Sequence, residues 1–237
     1  MMPARVHLTA DRLHRSGVTL ASRAAAVKEQ LRGSGVVAVL RASTAEHFIP
    51  AARVLTDAGV HALEITLTAD GALDALSAIR QEFGGHVVVG AGTVLTHAQA
   101  IDCIRHGAEF LVSPVVNEGV IRTGHASSIP VYPGALTPTE FETADRLGAD
   151  LVKLFPANAM GPSYLKDLHG PMPHLDIMPT GGISLDSIAT WLAAGAVTVG
   201  LGGPLMGDAL NGGDLDALAY RAQKAVAAVR ETRAGDQ

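Results

Sequence analysis

The stretch Leu147-Gly-Ala-Asp-Leu-Val-Lys-Leu-Phe-Pro156 sets both the architecture and the chemistry of this chain. Its second part, Asp150–Pro156, is an apolar run of strand type between a polar residue and a proline break. Its first part, Leu147-Gly-Ala149, is a turn in which glycine supplies the left-handed backbone that ends a helix before a strand begins. The same turn recurs at Asp57-Ala-Gly59, Arg105-His-Gly107 and Ala194-Gly-Ala196. Short β-branched runs follow one another about every 20 to 26 residues, separated by Ala/Leu-rich helical stretches. They are Val36–Arg41, Ala62–Leu67, His86–Gly90, Glu109–Ser113, Ile129–Pro133, Asp150–Phe155, Leu175–Thr180 and Val197–Gly202. Runs this continuously apolar are strands buried on both faces, and alternation with helices makes them parallel. Eight such units predict an α/β fold of (β/α)8 TIM-barrel type, with a doubly wound open sheet as the alternative. No linker or shift in composition follows residue 25. The expected organisation is therefore an N-terminal helical extension over 1–25 and one barrel domain over 26–237.

Composition narrows the function. Apolar residues at 48% and charged residues at 17% describe a well-buried globular chain. A net charge of −5 offers no basic face to nucleic acid or an acidic membrane surface. No apolar run approaches the roughly 18 residues that span a bilayer. Met1–Arg23 has scattered Arg and His but no compact apolar core, so it does not read as a secretory signal. Cys103 is the sole cysteine, which rules out an internal disulfide and fits a reducing cytoplasm.

Lysine is scarce, and three of the four lie in polar, helix-like surroundings: Lys28, Lys166 and Lys224. Lys153 stands inside a strand. Burying an ammonium disfavours its charged form, and the free amine is a nucleophile toward a carbonyl. The alternative is a side chain that reaches out of the strand end to a surface carboxylate. Glu64, within Leu63-Glu-Ile-Thr-Leu67, is a second charge inside an apolar strand and a candidate proton carrier. A buried ion pair without chemistry is the competing reading; such pairs rarely improve on apolar residues, which favours a functional role.

In a parallel barrel the site forms at the C-terminal ends of the strands, and the polar residues gather there. Arg41 ends the first strand and Thr93 follows Gly90-Ala-Gly92, giving a guanidinium fork and a hydroxyl for a carboxylate. Ser113-Pro114 ends the fourth strand, and Phe155 shares a face with Lys153 by alternation. Thr180-Gly-Gly182 and Gly200-Leu-Gly-Gly203 follow the seventh and eighth strands, the usual phosphate-binding position in such barrels. The histidines show no metal spacing, and no Walker, Rossmann or zinc pattern is present.

Taken together, Val36-Val-Ala-Val-Leu-Arg41, Leu63–Leu67, Val89-Gly-Ala-Gly-Thr-Val94, Leu111-Val-Ser-Pro114, Lys153-Leu-Phe-Pro156 and Pro179-Thr-Gly-Gly-Ile183 carry a family likeness. In order and spacing, from about residue 33 to 230, the chain resembles the bacterial 2-keto-3-deoxy-6-phosphogluconate aldolases, including those that also cleave 4-hydroxy-2-oxoglutarate. The resemblance implies a class I aldolase with Lys153 as the Schiff-base lysine and Glu64 as general acid/base. It implies that Thr93 and an arginine hold the pyruvyl carboxylate, that Phe155 packs beside the imine, and that Gly181 and Gly182 help bind phosphate. It further implies a homotrimer and a reaction needing no metal or organic cofactor. The expected products are pyruvate and an aldehyde such as glyceraldehyde 3-phosphate, from a 2-keto acid substrate.

Two positions depart from that pattern. Thr68 stands where many members carry the carboxylate arginine, and Arg41 on the neighbouring strand looks like the replacement used in galactonate-type enzymes. Gly203-Pro204 stands where members commonly have a serine, so a phosphate-binding hydroxyl is missing and Pro204 offers no N–H. Competing functions on the same barrel are a phosphosugar isomerase or epimerase and a non-catalytic sugar-acid-binding barrel.

Overall fold

Nearly every strand residue is fully buried, which the apolar runs demand. A computed structural model describes residues 20–235. The strands are β1 (Val36–Leu40), β2 (Ala62–Thr66), β3 (Val88–Gly92), β4 (Leu111–Val112), β5 (Val131–Tyr132), β6 (Gly134–Ala135), β7 (Val152–Leu154), β8 (Ile177–Pro179) and β9 (Val199–Leu201). All pairings are parallel, in the order β5-β4-β3-β2-β1-β9 and β6-β7-β8. A bridge between Thr180 and Gly200 joins β8 to β9, while β5 and β6 are halves of one strand. The sheet is therefore a closed (β/α)8-type barrel.

The observed strands are shorter than expected by one or two residues at one end or both, and two differ in more than that. The fifth strand is split, because Pro133 has no N–H to give to a ladder; its carbonyl still accepts from Lys153 N at 2.9 Å. The third strand runs Val88–Gly92 in place of His86–Gly90. The Gly-Ala-Gly segment is part of the strand, with Gly90 and Gly92 in register with Glu64 and Thr66. The predicted turns hold: Gly59, Gly107, Gly148 and Gly195 all have positive φ, between 85° and 104°.

Side-chain alternation separates two cores. Val36, Ala38 and Leu40 face outward to the helices, with Phe48 and Leu55 of α2 (Phe48–Asp57). Val37, Ala62, Val88, Phe110, Tyr132 and Met178 fill the inside. Helix α1 (Leu20–Ser34) adds Val27 and Leu31 to that inner cluster and so closes the floor of the barrel. Lys28 and Arg32 reach Asp176, just before β8, at 2.6 and 3.5 Å. The boundary expected at residue 25 falls inside this helix, and residues 1–19 lie outside the described residues.

Leu31 is fully buried in the floor. Leu31→Ala is expected to destabilise the fold by about 2–5 kcal/mol, through lost apolar contact plus a cavity. Chemical denaturation checks this, and an unchanged midpoint would separate α1 from the barrel core.

Candidate active site

The barrel mouth is built by the residues one step beyond the inner apolar layer. Lys153, central in β7, and Glu64, central in β2, are 3% and 0% exposed, and Lys153 Nζ lies 3.5 Å from Glu64 Oε1. The other carboxylate oxygen, Oε2, is buried with no hydrogen-bond partner among the described residues. An orphaned buried acceptor of this kind is a place for a water or a substrate hydroxyl. The Phe155 ring lies to one side, its centroid 5.3 Å from Nζ.

Space around the pair comes from missing side chains. A Cβ on Gly92 would stand 2.1 Å from Glu64 Oε1, and one on Gly90 would strike the Phe110 ring at 2.3 Å. A Cβ on Gly200 would stand 2.2 Å from Thr180 Oγ1, and one on Gly134 would meet the Pro114 backbone at 2.4 Å. The glycines of β3, β6 and β9 thus let Glu64, Pro114 and Thr180 lean inward.

Beside this centre, the exposed Arg41 guanidinium donates to Thr93 Oγ1 at 3.2 Å. Thr93 has φ 60°, a left-handed conformation rare for a β-branched residue. The loop it begins runs into the helix His97–Arg105, whose start is fixed by a Thr96/Gln99 capping box. Thr66, fully buried, donates to the Leu40 carbonyl at 2.9 Å and lies 3.0 Å from the Thr68 hydroxyl, tying β2 to the end of β1. Thr180 Oγ1 is buried and has no hydrogen-bond partner among the described residues. Gly181 and Gly182 turn away from β8 with φ of 99° and 71°. Gly202 and Gly203 open the short helix Gly203–Met206, with nothing within 4 Å of where their Cβ atoms would be. The structure thus brings Lys153, Glu64 and Phe155 together and pairs Arg41 with Thr93. It keeps Gly202 and Gly203 apart from both groups, at the rim.

One neighbour escapes a reading of the sequence: Asn158, in the 3-10 turn Ala157–Ala159 after β7, lies against Gly182. A lone polar residue between two alanines just past Lys153-Leu-Phe-Pro156 is the only signal of it.

Other reactive groups are out of play. Burial pushes the Cys103 thiol up to about 12, so it stays protonated in the helical layer. A cleft beside α1, lined by Lys28, Asp145, His174 and Asp176, opens at the opposite end of the barrel from Lys153. Among the described residues, no group of three or more His, Cys, Asp or Glu gathers as a metal site. None of their helices is long and apolar enough to cross a membrane.

Residues 27–221 match the protein family described as "Aldolase: KDPG and KHG aldolase". The chain belongs to that family. It is 36% identical over 194 residues to the KHG/KDPG aldolase of Escherichia coli K12, covering 81% of this chain and 90% of that protein. It is 34% identical over 171 residues to the 2-dehydro-3-deoxy-6-phosphogalactonate aldolase of the same organism, covering 72% and 83%. Among solved structures, it superposes with a TM-score of 0.76 on the KDPG aldolase of Legionella pneumophila, in which pyruvate was captured as a covalent carbinolamine. That pair is 29% identical and covers 87% of this chain and 97% of that one. The chain is thus a carbon–carbon lyase on a barrel of the TIM type.

Gly92→Ala places a methyl where Glu64 Oε1 now lies. Turnover is expected to fall by about 10²-fold, the scale set by displacing a catalytic group by roughly an ångström. Steady-state kinetics beside circular dichroism checks this; wild-type turnover would show that Glu64 has room to move without consequence.

Proposed function

We propose that this aldolase reversibly cleaves a 2-keto-3-deoxy sugar acid, 6-phosphorylated, to pyruvate and an aldehyde such as glyceraldehyde 3-phosphate, with 4-hydroxy-2-oxoglutarate as a second substrate. The observation that carries the reading is the buried Lys153 amine facing a buried Glu64, one of whose oxygens has no partner among the described residues. The Lys153 nitrogen adds its lone pair to the C2 ketone, and the carbinolamine loses water to give an iminium. Glu64 carries the protons of these steps, through water at its free oxygen. Removal of the C4 hydroxyl proton then breaks the C3–C4 bond. Its electron pair moves into the iminium as an enamine and the aldehyde departs. A proton returned to C3 and attack by water at C2 release pyruvate and restore Lys153.

In this reading Arg41 and Thr93 grip the carboxylate, and Pro114 and Phe155 flank the imine. Thr180, Gly181, Gly182, Gly202 and Gly203 line the distal, phosphate-bearing end. The family likeness and the exposed Leu95, Val115 and Met160 in loops after β3, β4 and β7 support a homotrimer of this chain. A lone, buried thiol supports a reducing cytoplasm as its compartment.

Pyruvate with borohydride is expected to add a stable mass at Lys153, and Lys153→Ala to lose both label and cleavage. Labelling at Lys166 or Lys224 would overturn the assignment. Glu64→Gln is expected to lower turnover by about 10²–10⁴-fold while the fold persists; near-normal turnover would move the proton work elsewhere.

Arg41→Ala is expected to weaken every 2-keto acid alike, by roughly 1.5–3 kcal/mol per charged hydrogen bond lost. Titration with pyruvate measures it, and unchanged affinity would leave Arg41 a surface charge.

A further inference from the structure

We infer that Asn158 is a specificity-determining residue that donates its side-chain amide to the distal phosphate monoester of the substrate. The inference rests on the proposed reading of the site and extends it to a residue outside the aldolase motifs. From Lys153 a continuous rim leads outward. The Phe155 ring lies beside Nζ, a Cβ on Gly181 would stand 3.2 Å from that ring, and one on Gly182 would stand 2.6 Å from Asn158 Cβ and Cγ and 2.8 Å from its Nδ2. A keto acid tethered at Lys153 has this rim on which to lay its aldehyde half.

The Asn158 turn is held to the glycine loop by its backbone, with Ala157 N donating to Thr180 O at 2.9 Å and Asn158 N to Gly181 O at 3.0 Å. Its side chain is exposed, and its amide meets no partner among the described residues. The N–H of Gly182, beneath it, likewise donates to no protein acceptor among them. Two unspent donors therefore stand side by side at the distal end. On the neighbouring loop after β9, Gly203-Pro204 brings no side-chain donor. A neutral amide with two N–H groups is suited to the oxygens of a phosphate monoester and gives nothing to an unphosphorylated keto acid too short to reach it.

The test compares wild type, Asn158→Ala and the isosteric Asn158→Asp on the 6-phosphorylated acid and on 4-hydroxy-2-oxoglutarate, with borohydride trapping of pyruvate and calorimetric titration of inorganic phosphate. Asn158→Ala is expected to lower kcat/KM for the phosphorylated acid about tenfold, and Asn158→Asp about 10²-fold because it sets a carboxylate against a dianion. Phosphate binding is expected to weaken in the same order, with the losses confined to phosphate-bearing ligands. Equal losses on 4-hydroxy-2-oxoglutarate, or wild-type phosphate binding in Asn158→Asp, would overturn the inference. A wild type that traps pyruvate yet binds no phosphate overturns it too and leaves the Schiff-base reading standing. Failure to trap pyruvate sinks that reading instead, and the phosphate titration of Asn158→Asp still decides the role of the amide.

Discussion

A buried charge pair organises this molecule. Lys153 and Glu64 face each other across the barrel with almost no exposure, 3.5 Å apart. Removing two charges from water is expensive, and a pair at that separation recovers only part of the desolvation. Apolar side chains at both positions would hold the barrel at least as well, so the pair is a burden that the rest of the fold supports. Closure of the sheet makes the arrangement possible, since β2 and β7 are not neighbours in it. Only across a barrel interior do their side chains meet.

The support is layered. Beneath the pair lies the apolar floor of Val37, Ala62, Phe110, Tyr132 and Met178, sealed by Val27 and Leu31 of α1. That seal keeps water from reaching the lysine from below, so exchange with solvent is confined to the mouth. The mouth itself is divided in function. Arg41 and Thr93, just past β1 and just past β3, supply charge and a hydroxyl on one side. The loops after β7, β8 and β9 supply backbone and amide groups on the other. A substrate with a carboxylate at one end and a phosphate at the other matches that division.

Much of this is legible in the sequence, for identifiable reasons. Lys153 and Glu64 announce themselves because a charge inside an apolar strand run has few structural explanations. The eight-fold rhythm is readable because glycine marks the helix-to-strand turns at Gly59, Gly107, Gly148 and Gly195. Boundaries are less so. Gly90 reads as the end of a strand with Gly92 beyond it, yet both pair in register, and the volume their side chains would take is filled by the Phe110 ring and by Glu64. Pro133 reads as a strand end, whereas the chain resumes pairing one residue later. Asn158 is invisible without coordinates, since nothing local distinguishes it from any polar turn residue. What singles it out is a contact with Gly182, 24 positions further along the chain. The role of α1 is hidden likewise, because an Ala-rich helix with only weak amphipathicity carries no mark of which surface it will cover.

The glycines around Glu64 and Thr180 bear on how such an enzyme diversifies. The side chains absent at Gly90, Gly92, Gly134 and Gly200 leave room that Phe110, Glu64, the Pro114 backbone and Thr180 occupy, and at each of these glycines a single methyl would overlap an existing atom. Every substitution there subtracts space and none adds it, so descendants of this chain have no neutral path through the floor of the site. At Gly202 and Gly203 nothing stands within reach of an added side chain. Variation is free to accumulate at that rim, where new substrates are met, while the carbon–carbon chemistry below it stays fixed.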